Sequence, residues 1–108
     1  MSEKSPKLDQ ARWTKLSLAE QIGNIGSEFS RARSAEQRND FEKRQAALER
    51  ALDLIDLSLV GNFEPKRRKE LARLRALSAN CYVNGDEYET DLQELEEYTY
   101  PFALLARK

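Results

Sequence analysis

The sequence predicts an all-α protein, an antiparallel four-helix bundle with a kinked C-terminal helix. Three observations predict it. Apolar residues recur at three- and four-residue steps in four separate segments, the period of a helix face. Turn formers are few, 4 Gly and 3 Pro in 108 residues, whereas a β-sandwich needs many turns and β-branched strands. Charged residues make up 34%, and Leu, Ala, Glu, Arg and Lys, all good helix formers, dominate while Val is scarce.

Residues 1–12 read as a flexible N-terminal arm and residues 13–108 as one bundle domain. A chain this long buries roughly 65% of its unfolded surface, enough for a single modest core. Trp13 opens the ordered part as a core lid, with a binding platform as the alternative.

The first long helix starts at Ser17, where Ser17 and Glu20 form the S-x-x-E capping box. Leu18, Ile22, Ile25, Phe29 and Ala32 make its apolar seam. Beside the seam runs a stripe of small residues, Ala19, Gly23, Gly26 and Ser30. Each glycine costs about 1 kcal/mol of helix propensity against alanine. A closely approaching neighbouring helix can repay that loss, within the chain or between subunits; a kink is the alternative. Arg31, Arg33 and Arg38 complement the negative end of this helix. Asn39-Asp40 supplies the turn, Asn in the left-handed conformation and Asp as the next cap. Ser34 with Gln37 offers a rival break.

The second helix spans about 40–59 and is the most hydrophobic. Phe41, Leu48, Leu52, Ile55 and Leu59 form its stripe, widened by Ala47, Ala51 and Leu54. Asp53 and Asp56 oppose the dipole at its C-terminal half, so a cation, an arginine above all, is expected nearby. Gly61 suits a C-terminal cap and Pro65 the first position of the third helix, with Phe63 folding back onto the core.

The third helix runs from about Pro65 to Cys81, with Leu71, Leu74, Leu77 or Ser78, and Cys81 inward. Its outer face is basic: Lys66, Arg67, Arg68, Lys69, Arg73 and Arg75. Cations near a helix N-terminus oppose the dipole, which points to acidic protein or phosphate partners. Asn84-Gly85-Asp86 is a turn. The fourth helix opens at Asp86 with Glu89, or at Thr90 with Gln93. Leu92, Leu95, Tyr98, Phe102 and Leu105 form its seam, and Pro101 breaks or kinks it near Tyr98 or Tyr100.

The composition also excludes chemistries. There is one cysteine and no histidine, hence no intrachain disulfide, no Cys/His metal site and no histidine base. Lone Cys81 reads as a small buried hydrophobe. Oxygen-only metal sites at Asp53/Asp56 or in the acidic run after Asp86 lack the EF-hand loop pattern. No Gly-rich phosphate loop and no nucleophile elbow is present. No apolar run spans a bilayer, and MSEKSPKLDQ lacks a signal-peptide core; the expectation is a cytoplasmic protein without membrane, metal or cofactor.

The stretch W-x-K-L-S-L-x-E-Q-I-x-N-I-G-S-E (Trp13 to Glu28) resembles the opening of a family of small uncharacterised prokaryotic all-helical proteins. Arg50 to Ser58, Arg67 to Ala76 and Tyr98 to Arg107 continue the resemblance over most of the chain. That family implies no activity. The four-helix plan is also similar to HEPN-type bundles, whose active members are dimeric RNases with an Arg-x(4–6)-His motif. This chain has no histidine, so no catalytic residue carries over.

The function expected is that of a non-catalytic interaction or oligomerisation module, a homodimer or the subunit of a protein partner. Charge segregation supports it: residues 66–75 hold six bases and one acid, and residues 86–97 hold seven acids and no base. These segments can pair within the chain or across a two-fold axis. The alternative is RNA or DNA binding by Lys66, Arg67, Arg68, Arg73 and Arg75, joined by Arg31 and Arg33. Against it stand a sequence pI of about 5.6 and the lack of interleaved aromatics.

Overall fold

A computed structural model describes residues 10–61, 64–83 and 91–106. These form five helices and no strand: α1 (Gln10–Thr14), α2 (Leu18–Gln37), α3 (Phe41–Gly61), α4 (Pro65–Tyr82) and α5 (Leu92–Ala106). The four long helices are the four expected ones. α5 packs on α2, α2 on α3, and α3 on α4, while α1 rests on α3.

Local sequence sets the helix ends. Ser17 caps α2 through the capping box: its Oγ accepts from the Glu20 amide at 3.0 Å, and its own amide donates to Glu20 Oε1 at 2.8 Å. α2 continues past Ser34, and Asn39 takes the left-handed conformation at φ 59°. Asp40 then accepts from the Lys43 amide at 3.2 Å and opens α3. Glu64 caps α4 ahead of Pro65. α5 opens at Asp91, one position after the later of the two expected starts. Asp91 and Glu94 form a reciprocal pair, Glu94 N–H to Asp91 Oδ1 at 3.0 Å and Asp91 N–H to Glu94 Oε1 at 3.2 Å. The expected roles of Phe63 and of Asn84-Gly85-Asp86 fall outside the described residues.

Ile25, Phe29, Ala32, Leu48, Ala51 and Ile55 form the centre of the core, each fully buried, with Leu74, Leu92 and Leu95 closing it from α4 and α5. Trp13 is the lid: its Nε1 donates to Ser58 Oγ at 2.9 Å. Burying one such large side chain contributes roughly 1.5–3 kcal/mol.

Several expectations need correction. Residues 10–12, expected in the arm, belong to α1. Gln21, buried on α2, holds α1 by donating from Nε2 to the Trp13 and Leu16 carbonyls at 3.1 and 3.3 Å. Phe41 does not join the core; it is 64% exposed at the start of α3, beneath the Arg44 guanidinium. The buried stripe of α3 is centred instead on Ala47, Leu48, Ala51, Leu54, Ile55 and Ser58, and Leu52 and Leu59 lie at its margins. Gly61 is the last residue of α3 and has no positive φ; it lies against Thr14.

α5 shows the largest departure. It is helical straight through Pro101. Pro101 and Glu97, whose carbonyl the proline leaves unbonded, are both exposed, so water can satisfy that carbonyl and the helix persists. Its buried line is Leu92, Leu95 and Thr99, whereas Tyr98 and Leu105 are exposed. The small stripe on α2 draws Thr99 and Ala103 of α5 toward it, and Tyr98, Tyr100, Leu104 and Leu105 are left outward.

Candidate functional site

Gly23 and Gly26 seat α5. A Cβ at Gly23 would stand 3.1 Å from the Ala103 Cα, and one at Gly26 would stand 2.8 Å from the Thr99 Cβ. One turn further, Ser30 Oγ donates to Glu96 Oε2 at 2.6 Å, and Arg33 donates to Glu96 Oε1 at 2.7 Å. Of the stripe Ala19, Gly23, Gly26 and Ser30, the last three therefore make an intrachain contact. That surface is occupied and is not open to another subunit.

The Ser30 hydroxyl, with Arg33 behind it, holds the Glu96 carboxyl below its ordinary 4.5. A depressed folded-state value stabilises the fold above the unfolded value, and this contribution is lost as pH falls through the folded one. The lead in melting temperature of the native chain over Glu96→Gln is therefore expected in full at pH 7. Melts recorded from pH 7 to pH 3 should show that lead shrinking below about pH 4.5.

The open side of the bundle lies between α4 and α5. There a groove of about 740 Å³ is lined by Leu74, Leu77 and Leu95, with Glu70, Arg73, Glu94, Glu97 and Tyr98 completing it. The two helices run antiparallel across it, and the Tyr98 hydroxyl donates to Glu70. Burial, then that acceptor, pushes the Tyr98 phenol up to about 12, so it remains a donor at neutral pH. Elsewhere on α5, Tyr100, Leu104 and Leu105 are exposed.

The six cations of α4 have separate settings. Arg75 pairs with Asp56, Nε to Oδ1 at 2.6 Å and a terminal nitrogen to Oδ2 at 3.2 Å; this is the cation expected beside Asp53 and Asp56. Arg68 donates to the Leu59 carbonyl in the last turns of α3, where positive charge suits the dipole. Lys66, Arg67, Lys69 and Arg73 are exposed and make no ion pair among the described residues. Arg33 pairs with Glu96 and Arg31 with Glu28. The basic residues of α2 and α4 thus do not form one strip, and the acidic run does not pair with the basic one among the described residues.

Sequence reasoning missed two buried charged groups. Arg44, only 6% exposed, donates to the Cys81 carbonyl at 2.9 Å and faces Glu36 at 3.6 Å. Beside it Gln45 donates to the Tyr82 carbonyl at 2.9 Å. Together they cover the last turn of α4. Glu28 is buried on α2 and takes one guanidinium on each oxygen, Arg31 and Arg50, both at 3.0 Å. Both lie three residues along their seams from an expected core position, which was the available signal.

Burial pushes the Cys81 thiol up, against the pull of Arg44, so at neutral pH it is a protonated thiol and a poor nucleophile. Among the described residues, no three His, Cys, Asp or Glu gather where they can hold a metal ion. No described helix is long and apolar enough to cross a membrane. Comparison with protein-family models, with curated proteins and with solved structures finds no match to this chain.

Proposed function

We propose that this chain is a non-catalytic interaction module that self-associates through its α4–α5 face. The observation that carries the reading is the groove between those helices, apolar at its floor and charged at its rims. α4 presents Lys66, Arg67 and Lys69 at one end, and α5 presents Glu94 and Glu97 at the other. Such a face is self-complementary, since a two-fold operation can bring the basic turn of one copy onto the acidic turn of the next. Leu77 and Tyr98 supply the apolar and aromatic area that interface centres favour.

Sedimentation equilibrium at low and high salt tests it. A dimer mass at low salt that falls toward the monomer at high salt is expected, because rim charges are screened. Lys69→Glu should weaken the dimer, and adding Glu97→Lys should restore part of it. A monomer at both salt concentrations would refute the proposal. The unpaired cations of α4 favour one other reading, nucleic-acid binding. Retention of generic RNA at low salt that is abolished by Arg67→Glu, in a chain that stays monomeric, is the result that reading requires.

A further inference from the structure

A second concavity, of about 500 Å³, lies on another surface, between the C-terminal half of α2 and the N-terminal half of α3. Four of its lining residues are cations, Arg31, Arg38, Lys43 and Arg50, and none is an acid. They reach it by helical spacing: Arg31 on α2 and Arg38 at its C-cap stand about two turns apart, and Lys43 and Arg50 stand two turns apart on α3. Ala35 and Ala46 lie among them, with Ser30 and Ser34. Small residues at that level keep the surface concave, so a ligand can sit between the cations instead of above them.

Two of the four cations are held in place. Buried Glu28 takes Arg31 on one oxygen and Arg50 on the other. Each guanidinium has five N–H donors, and most remain for a ligand. One carboxylate against two guanidiniums leaves a positive balance. Arg38 and Lys43 add to it, as neither has an ion pair among the described residues. Of the acids nearby, Glu96 is bound by Ser30 and Arg33, Glu36 faces Arg44, the Asp40 carboxylate accepts from the Lys43 amide, and Glu42, beside Lys43 in the chain, is exposed.

We infer that this cleft binds an oligophosphate, an anion carrying at least two linked phosphate groups. Forked guanidiniums match phosphate oxygens in geometry and charge. Four cations around one concavity exceed what a single phosphate needs. No aromatic side chain lines the cleft, so recognition is of phosphate and not of a stacked base. The site shares no residue with the α4–α5 face and does not depend on self-association.

Calorimetric titration with pyrophosphate at low salt tests the inference. The native chain should bind with a Kd below about 1 mM. Arg38→Gln/Lys43→Gln should weaken binding about tenfold or more, in line with the loss of two charge-assisted contacts. Both side chains are exposed, so the variant should keep its melting temperature. Lys15→Gln, an exposed cation that lines neither concavity, should bind as the native chain does. Inorganic phosphate should bind more weakly than pyrophosphate. Competition with a single-stranded RNA separates the sources: displacement at matched phosphate concentration assigns the cleft to a nucleic-acid backbone, and persistence of pyrophosphate assigns it to a free oligophosphate. No heat or melting shift with pyrophosphate, or equal binding by native chain and Arg38→Gln/Lys43→Gln, would overturn the site.

Discussion

Gly26→Leu lowers the melting temperature by about 10 °C, equivalent to roughly 2–3 kcal/mol in a domain of this size. Even a single carbon at this position falls 2.8 Å from the Thr99 Cβ and closer still to its hydroxyl. Thr99 is itself buried, and its hydroxyl donates to the Leu95 carbonyl at 3.1 Å, so it cannot swing clear. α5 must move off α2, and the Ser30–Glu96–Arg33 cluster one turn away moves with it. Two effects oppose each other. Replacing glycine returns about 1 kcal/mol of helix propensity, and overpacking a tight contact costs about 1–3 kcal/mol or more. Gly26→Ala therefore destabilises less than Gly26→Leu. Combining Gly26→Ala with Thr99→Gly removes both colliding atoms, and the double-mutant cycle should show favourable coupling. Thermal melts of the four chains decide it; an unchanged melting temperature for Gly26→Leu would show that α5 does not rest on this stripe.

Arg44→Ala should cost about 2–4 kcal/mol, seen as a lower urea midpoint with an unchanged slope. The loss has two parts. The charge-assisted bond to the Cys81 carbonyl disappears from the end of α4, where a cation also answers the helix dipole. The buried stem of the side chain leaves a void between α3 and α4. Arg44→Lys keeps the charge without the planar fork and should recover part of the loss. Glu36→Ala should cost less than 1 kcal/mol, since that carboxylate is 55% exposed at its side chain. An Arg44→Ala chain as stable as the native one would mean that α4 is docked by its leucines alone.

These two residues also mark how much was legible beforehand. The small stripe announced a close helix contact, because glycine at Gly23 and Gly26 has no local reason to sit in a helix. Its partner was hidden. Thr99 and Ala103 are ordinary helix residues, and nothing near them in the chain signals a docking face. The leucine and aromatic seam of α5 held at Leu92 and Leu95, which are buried, and failed further along, where Thr99 meets α2 and Tyr98 and Leu105 are exposed. Arg44 was passed over because its charge argued for solvent, although its spacing from Ala47 and Leu48 put it in phase with the core. Glu28 was missed for the same reason. Neither candidate surface could be drawn from the sequence, since each is a space between two helices.

What the sequence determined by itself is the set of local structures: capping at Ser17 and Asp40, Pro65 at the start of α4, the left-handed Asn39, and four amphipathic helices. Those features depend on residues within three or four positions of one another, so periodicity and side-chain chemistry suffice. Only the tertiary structure decided which face of α5 meets α2, which arginines pair with Asp56, Glu28 and Glu96, and which cations gather around one concavity. Those outcomes depend on where whole helices come to rest, and that is set by the shapes of surfaces far apart in the chain.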